Sequence, residues 1–408
     1  VVSCFVFKEI MKLIQVCSIF YPAPFFGTEL TVYKIALKAV EKGMQSVVIT
    51  TNLENLAPIR KFNGRVEEYH NGIRIRRCRA YRFPKVYPII VPELFKVLKE
   101  EIQNYKGEVI IHSHSYLSLL SFFVAFMRKF NNKVILIHQP HYHPFPGGTW
   151  KGHLLRKLCD KTIGNFILKN DDGIVIMSDT ERKAIESNNH TYSKFSLIPH
   201  GVDSPLNTKD ADISLFKKQY NIKSNDTILL CVSRIGGQIV DFFTKLLINL
   251  PLRIKVLVVG SLWGNADGKL IISEIEKANL KERLILTGYL RRNDLALAYL
   301  SADIFVKPAY FFEAFGIVFM EAMSYGLPVI THNIGALPEI VSNEKNGCLI
   351  EHSEADIPEF KNKIESLLES KIKYNQISDN NREKAKSYLW DNILEKYFEL
   401  YKELINEK

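Results

Sequence analysis

The 408-residue chain is 47% hydrophobic and 24% charged, a composition that excludes disorder, and it is too long for one ordinary core, so two domains are expected. Its formal charge of +10 lies in the front half: residues 1–200 carry 28 Lys and Arg against 16 Asp and Glu, and residues 201–408 carry 26 against 28. The longest apolar stretches, near 13–25 and 116–127, fall short of the roughly 18 residues that a membrane-spanning helix needs. Cys4, Cys17, Cys78, Cys159, Cys231 and Cys348 are scattered singly with no CxxC pair, which reads as reduced core cysteines of a cytosolic protein.

Along the chain, VVSCFVFKEI precedes Met11, and MKLIQVCSIFYP makes a complete first strand by itself. Residues 1–10 therefore read as an extension, too short in its apolar part and without the basic head of a signal peptide. A helix is predicted from Thr28 to Lys42, followed by the β-branched runs SVVITT, EVIIHSH, KVILIHQ, GIVIMS and KFSLIP with helical segments between them. Such alternation signals a parallel sheet. Within this half, GIRIRRCRAYRFPK gathers Arg74, Arg76, Arg77, Arg79, Arg82 and Lys85. The cluster is either the solvated face of a strand and its loop or a site for an anionic partner such as a phospholipid surface or diphospholipid substrate. Nucleic acid is excluded as a partner, since no recognition helix, zinc finger or aromatic RNA-binding strand accompanies the charge.

After IPHGVDSPLNTKDAD, whose Pro, Asn and Asp mark a linker at 199–212, a second series runs TILLCVSRI, RIKVLVVGS, RLILTGY, DIFVKP, LPVITH and GCLIEH. The expected fold class is α/β: two tandem doubly wound, Rossmann-like parallel-sheet domains, residues 1–203 and 204–385. A tail at 386–408 carries Tyr388, Ile393, Tyr397, Leu400, Tyr401 and Leu404 at helical spacing, so it should pack back on the first domain, with a helix break near Trp390. In open α/β sheets ligands bind beyond the carboxyl ends of the strands, which points to a cleft between the two domains.

The chemistry concentrates in FFEAFGIVFMEAMSYGLPVI, residues 311–330, where Glu313 and Glu321 interrupt an apolar run. Buried carboxylates are costly unless paired. Gly316 onward reads as a helix that places Glu313 just outside its N-terminus and Glu321 about a turn and a half inside. The N–H groups of Phe315, Gly316 and Ile317 would then face an anion. The bland alternative is an acid near a helix start and a surface glutamate.

The segment resembles the E-x7-E motif of retaining GT-B glycosyltransferases, glycosyltransferase family 4 (glycosyl transferases group 1) in particular. The resemblance extends to FYPAPFFGTELTVYKIALKAVEKG after the first strand, to IHSHSYLS, to IPHGVD and to the terminal LEKYFELYKEL, and so covers residues 12 to about 405. It implies a GT-B fold and a nucleotide-sugar donor, with no metal or cofactor. Glu313 would contact the donor sugar and Glu321 the ribose. Gly27 and Thr28 would approach the diphosphate by backbone, joined there by Ala314, Phe315, Gly316 and Ile317. His114 would line the donor and acceptor sugars, and Arg234 would neutralise the leaving group. The family follows that Arg with a Lys some five residues on, whereas here Gln238 or Ile239 holds the position. Lys245 lies too far along the helix, and Lys307 is a candidate replacement. Phe26 stands where the family has the first glycine of a pair.

His138, His141 and His143 in IHQPHYHPFPGGTW lack the i, i+4 helical spacing of a zinc pair and read instead as an acceptor-side loop, with Gly147 and Gly148 permitting movement. The expected function is a retaining transferase that moves a sugar from a UDP- or GDP-sugar to a glycan or polyprenyl-linked acceptor in glycoconjugate or cell-surface polysaccharide synthesis. The expected place is the cytoplasm, peripheral on the inner face of the membrane. The other reading, suggested by the absent Lys, is a catalytically weak nucleotide-sugar or glycan-binding homologue. A dinucleotide-dependent oxidoreductase is excluded because no G-x-G-x-x-G turn follows a strand.

Overall fold

The computed structural model describes residues 11–23, 27–56, 59–62, 64, 66–81, 89–144, 150–187, 194–206, 213–262, 268–353 and 356–408. The extension 1–10, Phe26, Arg82, Lys85, Gly147 and Gly148 lie outside them. The chain divides into two compact units, residues 1–201 with 390–408 and residues 202–389, against expected boundaries at 203/204 and 385/386.

The first unit runs β1 (Met11–Val16), α1 (Gly27–Glu41), β2 (Gln45–Thr51), β3 (Leu53–Leu56), β4 (Ile59–Lys61), β5 (Glu67–His70), β6 (Ile73–Cys78) and α2 (Leu94–Gln103). It continues with β7 (Glu108–His114), α3 (Leu119–Lys129), β8 (Val134–Gln139), α4 (Trp150–Cys159), a π-turn (Asp160–Gly164), α5 (Asn165–Lys169), β9 (Gly173–Ile176), α6 (Asp179–Glu186) and β10 (Phe195–Leu197). Its eight-stranded sheet has the order β10-β9-β8-β7-β1-β2-β6-β5, parallel except for β5. Strands such as β8 are buried along their whole length because helices cover both faces. The last helix, Trp390–Asn406, belongs to this unit. Its Ile393, Tyr397 and Tyr401 pack with Ile35 of α1 over Leu13, Ile110 and Ile137 of the sheet.

The second unit runs α7 (Ile213–Gln219), β11 (Thr227–Val232), α8 (Gly237–Ile248), β12 (Ile254–Val259), α9 (Gly268–Lys277), β13 (Leu284–Gly288), α10 (Arg292–Ser301) and β14 (Ile304–Lys307). It continues with α11 (Ile317–Ser324), β15 (Val329–His332), α12 (Leu337–Ile340), β16 (Gly347–Ile350), α13 (Asp356–Glu369) and α14 (Lys371–Lys386), and α15 is the last helix of the first unit. The sheet order is β13-β12-β11-β14-β15-β16, all parallel.

Both sheets are therefore doubly wound, each with a strand-order reversal that marks a ligand crevice. In the first sheet the reversal lies between β1 and β7, and in the second between β11 and β14.

The arginine cluster is corrected by this fold. Arg74 and Arg76 lie on β6 between the antiparallel edge strand β5 and α2, where Glu67, Glu100 and Glu101 pair with them at 2.8–3.0 Å. Glu101, 3% exposed, also binds Lys12 at 2.6 Å. Arg77 is buried against Glu68 at 2.6 Å. These three cations form an internal ion-pair network, and only Arg79 of the described members is exposed.

Candidate active site

In the second unit, Arg234 follows β11 and Lys307 ends β14, so the two cations come from the adjacent strands of the reversal. The loop after β11 keeps pairing with the chain after β12, through Ser233 N–H to the Val259 carbonyl and Ile235 N–H to the Ser261 carbonyl, and Arg234 between them is exposed. Ile239 is 7% exposed in the core under α8, while Gln238 is exposed in its first turn. Of the two residues considered for the family Lys, Gln238 therefore faces solvent. Lys245 sits in the last turn of α8 and pairs with Asp241.

Lys307, the candidate replacement cation, pairs with Glu313: its Nζ lies 2.6 Å from Glu313 Oε1, with the lysine side chain 11% and the glutamate 27% exposed. Glu313 is held by its backbone as well. Its carbonyl accepts from Ala336 N–H at 2.8 Å, and Gly335, at φ 58°, passes so close that an added Cβ would lie 2.5 Å from that carbonyl oxygen. Only a glycine fits there without displacing Glu313. Gly316, at φ 83°, caps α11, which starts one residue later than the sequence suggested. Ala314 and Phe315 are buried, Phe315 against Tyr388, so their side chains belong to the packing.

Glu321 is half-buried within α11 and accepts from the Tyr299 hydroxyl at 2.8 Å. Burial pushes its carboxyl up to about 7, against the lowering effect of the Tyr299 hydrogen bond. Tyr325 stacks on Tyr299 with centroids 5.2 Å apart, and an Arg292–Asp203 ion pair stands nearby as a further electrostatic influence.

In the first unit, Gly27 opens α1 after β1, and its carbonyl lies 3.0 Å from His200 Nε2. Thr28 follows in the first turn. Across the reversal, Gln15 of β1 is in register with His112 of β7. Gln15 Nε2 donates to the Val32 carbonyl at 2.7 Å, so Gln15 Oε1 accepts from His114 Nε2–H at 3.1 Å. That assignment leaves His114 Nδ1 as the acceptor for His141 Nε2–H at 3.3 Å. Burial holds His114 and His141 well below the ordinary imidazole range, so the chain is neutral.

One sequence expectation changes here, that for His138. His114 is 1% exposed, with both ring nitrogens engaged, His112 stacked at 4.3 Å and His141 as one of its two polar neighbours. His138 is fully buried on the opposite face of β8 from Gln139, bonded through Nδ1 to Ser113 Oγ at 2.8 Å, because side chains alternate along a strand. It cannot belong to an acceptor loop. His143 is exposed, and His141, at φ 48°, is the histidine of the three that joins His114.

Sequence reasoning also missed Glu181. This buried carboxylate accepts Tyr142 N–H and Met177 N–H, each at 2.6 Å, and so ties the His141 loop to the end of β9. Burial raises it to about 7. The S-x-x-E spacing of Ser178 and Glu181 is a local signal of a helix start, and Ser178 caps α6.

The family model for glycosyl transferases group 1 matches residues 212–384, and that for glycosyltransferase family 4 matches residues 27–204. The chain belongs to the GT-B glycosyltransferases of family 4. Across 404 residues this glycosyltransferase is 24% identical to the yeast phosphatidylinositol N-acetylglucosaminyltransferase GPI3 subunit (Saccharomyces cerevisiae), covering 96% of this chain and 82% of that one. It is 28% identical over 302 residues to an Escherichia coli UDP-Gal:alpha-D-GlcNAc-diphosphoundecaprenol alpha-1,3-galactosyltransferase, 71% and 73% covered. Among solved structures, Anabaena HepE in complex with UDP and glucose superposes with a TM-score of 0.75 at 19% identity, covering 96% of this chain and all of that one. Sucrose-phosphate synthase from Thermosynechococcus elongatus gives 0.75 at 21% identity, with 97% and 100% covered.

Proposed function

We propose that this glycosyltransferase transfers a sugar, with retention of configuration, from a nucleotide diphosphate sugar to a lipid-linked acceptor presented at an anionic membrane surface. The observation that carries the reading is the Lys307–Glu313 pair at the end of β14, beside Arg234 on the neighbouring strand and the N-terminus of α11. In this reading Glu321 accepts from ribose hydroxyls and Glu313 from the donor sugar. Arg234, Lys307 and the first N–H groups of α11 balance the diphosphate. The bond from the anomeric carbon to phosphate oxygen breaks with its electron pair leaving on the phosphate. The acceptor oxygen bonds to the same face of that carbon, and its proton passes to the departing phosphate. Lys307 supports this reading over a merely binding homologue, since it places a second cation near Arg234 although the usual position holds Gln238.

Support for the acceptor class comes from α4. Trp150, Leu154, Leu155 and Leu158 are 60–71% exposed along it, with Lys157 and Lys161 exposed beside them. Its one acid at this end, Asp160, is buried and bonded to Arg156. An apolar stripe flanked by cations fits the interface of an anionic bilayer, and it replaces the arginine cluster as the membrane-facing element. Two relatives agree in kind: the yeast protein is named for phosphatidylinositol and the bacterial one for a diphosphoundecaprenol acceptor. Among the described residues no helix is long and apolar enough to cross a membrane.

A mass-spectrometric product screen with UDP- and GDP-sugars and polyprenyl- or inositol-lipid acceptors tests the reading. A new glycolipid is expected, and donor binding without product across the panel overturns it. Leu154→Asp with Leu158→Asp should abolish flotation with phosphatidylglycerol vesicles, and undiminished flotation removes α4 from the account.

A further inference from the structure

A second constellation stands at the same end of the second sheet, and transfer does not call on it. β15 ends at His332, His352 comes two residues after β16, and α13 opens on Asp356. His332 Nε2 lies 3.1 Å from Asp356 Oδ2, and His352 Nδ1 lies 3.4 Å from the same oxygen. All three potential ligand atoms fall within 4.8 Å of one another.

Tetrahedral ligands bonded at about 2.0–2.2 Å are separated by roughly 3.3–3.6 Å. Two edges of the triangle are thus within a few tenths of an ångström of that spacing. The third closes by rotation of His352, whose side chain is 63% exposed and has room to turn.

The surroundings of His332 match a ligand's. Its ring is fully buried, with Phe360 edge-on at 5.1 Å and Tyr310 at 5.6 Å, and its Nδ1 lies 3.0 Å from the Ala309 carbonyl. A metal-binding imidazole commonly donates its other N–H to a backbone carbonyl in this way. With the proton on Nδ1, the Nε2 lone pair faces the Asp356 carboxylate, and two acceptors 3.1 Å apart need a cation between them. The opposite tautomer, with Nε2–H donated to Asp356 and Nδ1 accepting Ala309 N–H at 3.1 Å, is an ordinary histidine–aspartate pair. The exposed side at His352 leaves a further coordination position open to water.

We propose that His332, His352 and Asp356 form a site for a divalent transition metal of the zinc class. Two imidazoles and one carboxylate suit Zn²⁺ or Co²⁺ rather than Mg²⁺ or Ca²⁺, which take oxygen ligands. The ion would tie the start of α13 to the ends of β15 and β16. The site takes no part in the transfer described above, and either reading stands if the other fails.

The test uses the full-length protein stripped of metal. Titration with Co²⁺ should give one equivalent with visible d–d absorption, displaced by Zn²⁺, and Zn²⁺ should raise the melting temperature. His352→Ala, at an exposed position that tolerates truncation, and Asp356→Asn should weaken Zn²⁺ binding by more than about tenfold. His153→Ala, which removes an exposed histidine on α4, should leave it unchanged. No d–d band, or equal binding by wild type, His352→Ala and Asp356→Asn, overturns the proposal in favour of the histidine–aspartate pair.

Discussion

The two strand-order reversals solve the problem of placing polar groups at a sheet end in opposite ways. In the second unit the groups carry charge: Glu313 is balanced by Lys307, Glu321 leans on the Tyr299 hydroxyl, and Arg234 is exposed. In the first unit they are neutral, a relay from Gln15 through His114 to His141 with every shared proton accounted for. Charge suits the diphosphate proposed for this region, because a cation there stabilises negative charge that grows as the bond breaks. A neutral, fully bonded relay instead fixes the direction of one ring and resists titration.

The comparison breaks most visibly at Glu313. Glu313→Ala should lower the turnover of glycosyl transfer about 100- to 1,000-fold, while calorimetric UDP affinity changes only a few-fold. Unchanged turnover would remove the residue from the charged site. Lys307→Met should lower turnover by about 100-fold and weaken UDP as well, since it removes positive charge near the leaving group. A loss confined to the sugar, with UDP binding intact, would make Lys307 only a support for Glu313.

In the neutral site the expected effects are smaller and structural. Glu181→Ala leaves the Tyr142 and Met177 N–H groups unsatisfied and should cost about 1–3 kcal/mol of unfolding free energy. A denaturant series would detect that, and a smaller cost would mean that water replaces the carboxylate. His141→Ala should reduce kcat/KM about tenfold at nearly wild-type stability, as expected for a lost substrate hydrogen bond. His138→Ala should show the reverse, with lower stability and an unchanged acceptor KM.

The finest distinction is in pH. Glu321, raised to about 7 by burial, is mostly protonated below that value. In the proposed role ribose hydroxyls donate to the ionised form, so the nucleotide favours loss of the proton, and its affinity should rise about tenfold between pH 6 and pH 8. Glu321→Gln should bind more weakly at pH 8 and show a flat profile. The relay in the first unit should contribute no inflection in that range, since burial keeps His114 and His141 neutral throughout.

Much of this was legible in the residue order. Alternating β-branched runs and amphipathic segments predicted two doubly wound sheets, because a strand covered on both faces must be apolar along its whole length. The spacing of Glu313 and Glu321 around a helix start identified the charged region for the same local reason. The histidines show the boundary of such reasoning. His114, His138 and His141 look alike in sequence, yet one is turned to the opposite face by strand alternation and another is enclosed by neighbours distant in the chain. The arginines of β6 also read as surface charge until α2 and β5 brought Glu67, Glu100 and Glu101 against them.

The sequence by itself determined the parallel strands of both sheets and the family, since those follow from periodicity and local motif, but not the antiparallel β5 or the β3–β4 pair. Only the tertiary structure decided which charges are paired and which imidazoles are reachable. It was the approach of α2 to β6 that gave Arg76 its partners Glu100 and Glu101, and Gly335 that allowed the chain after β15 to close over Glu313. Such pairings depend on contacts between distant segments, and no window of neighbouring residues contains them.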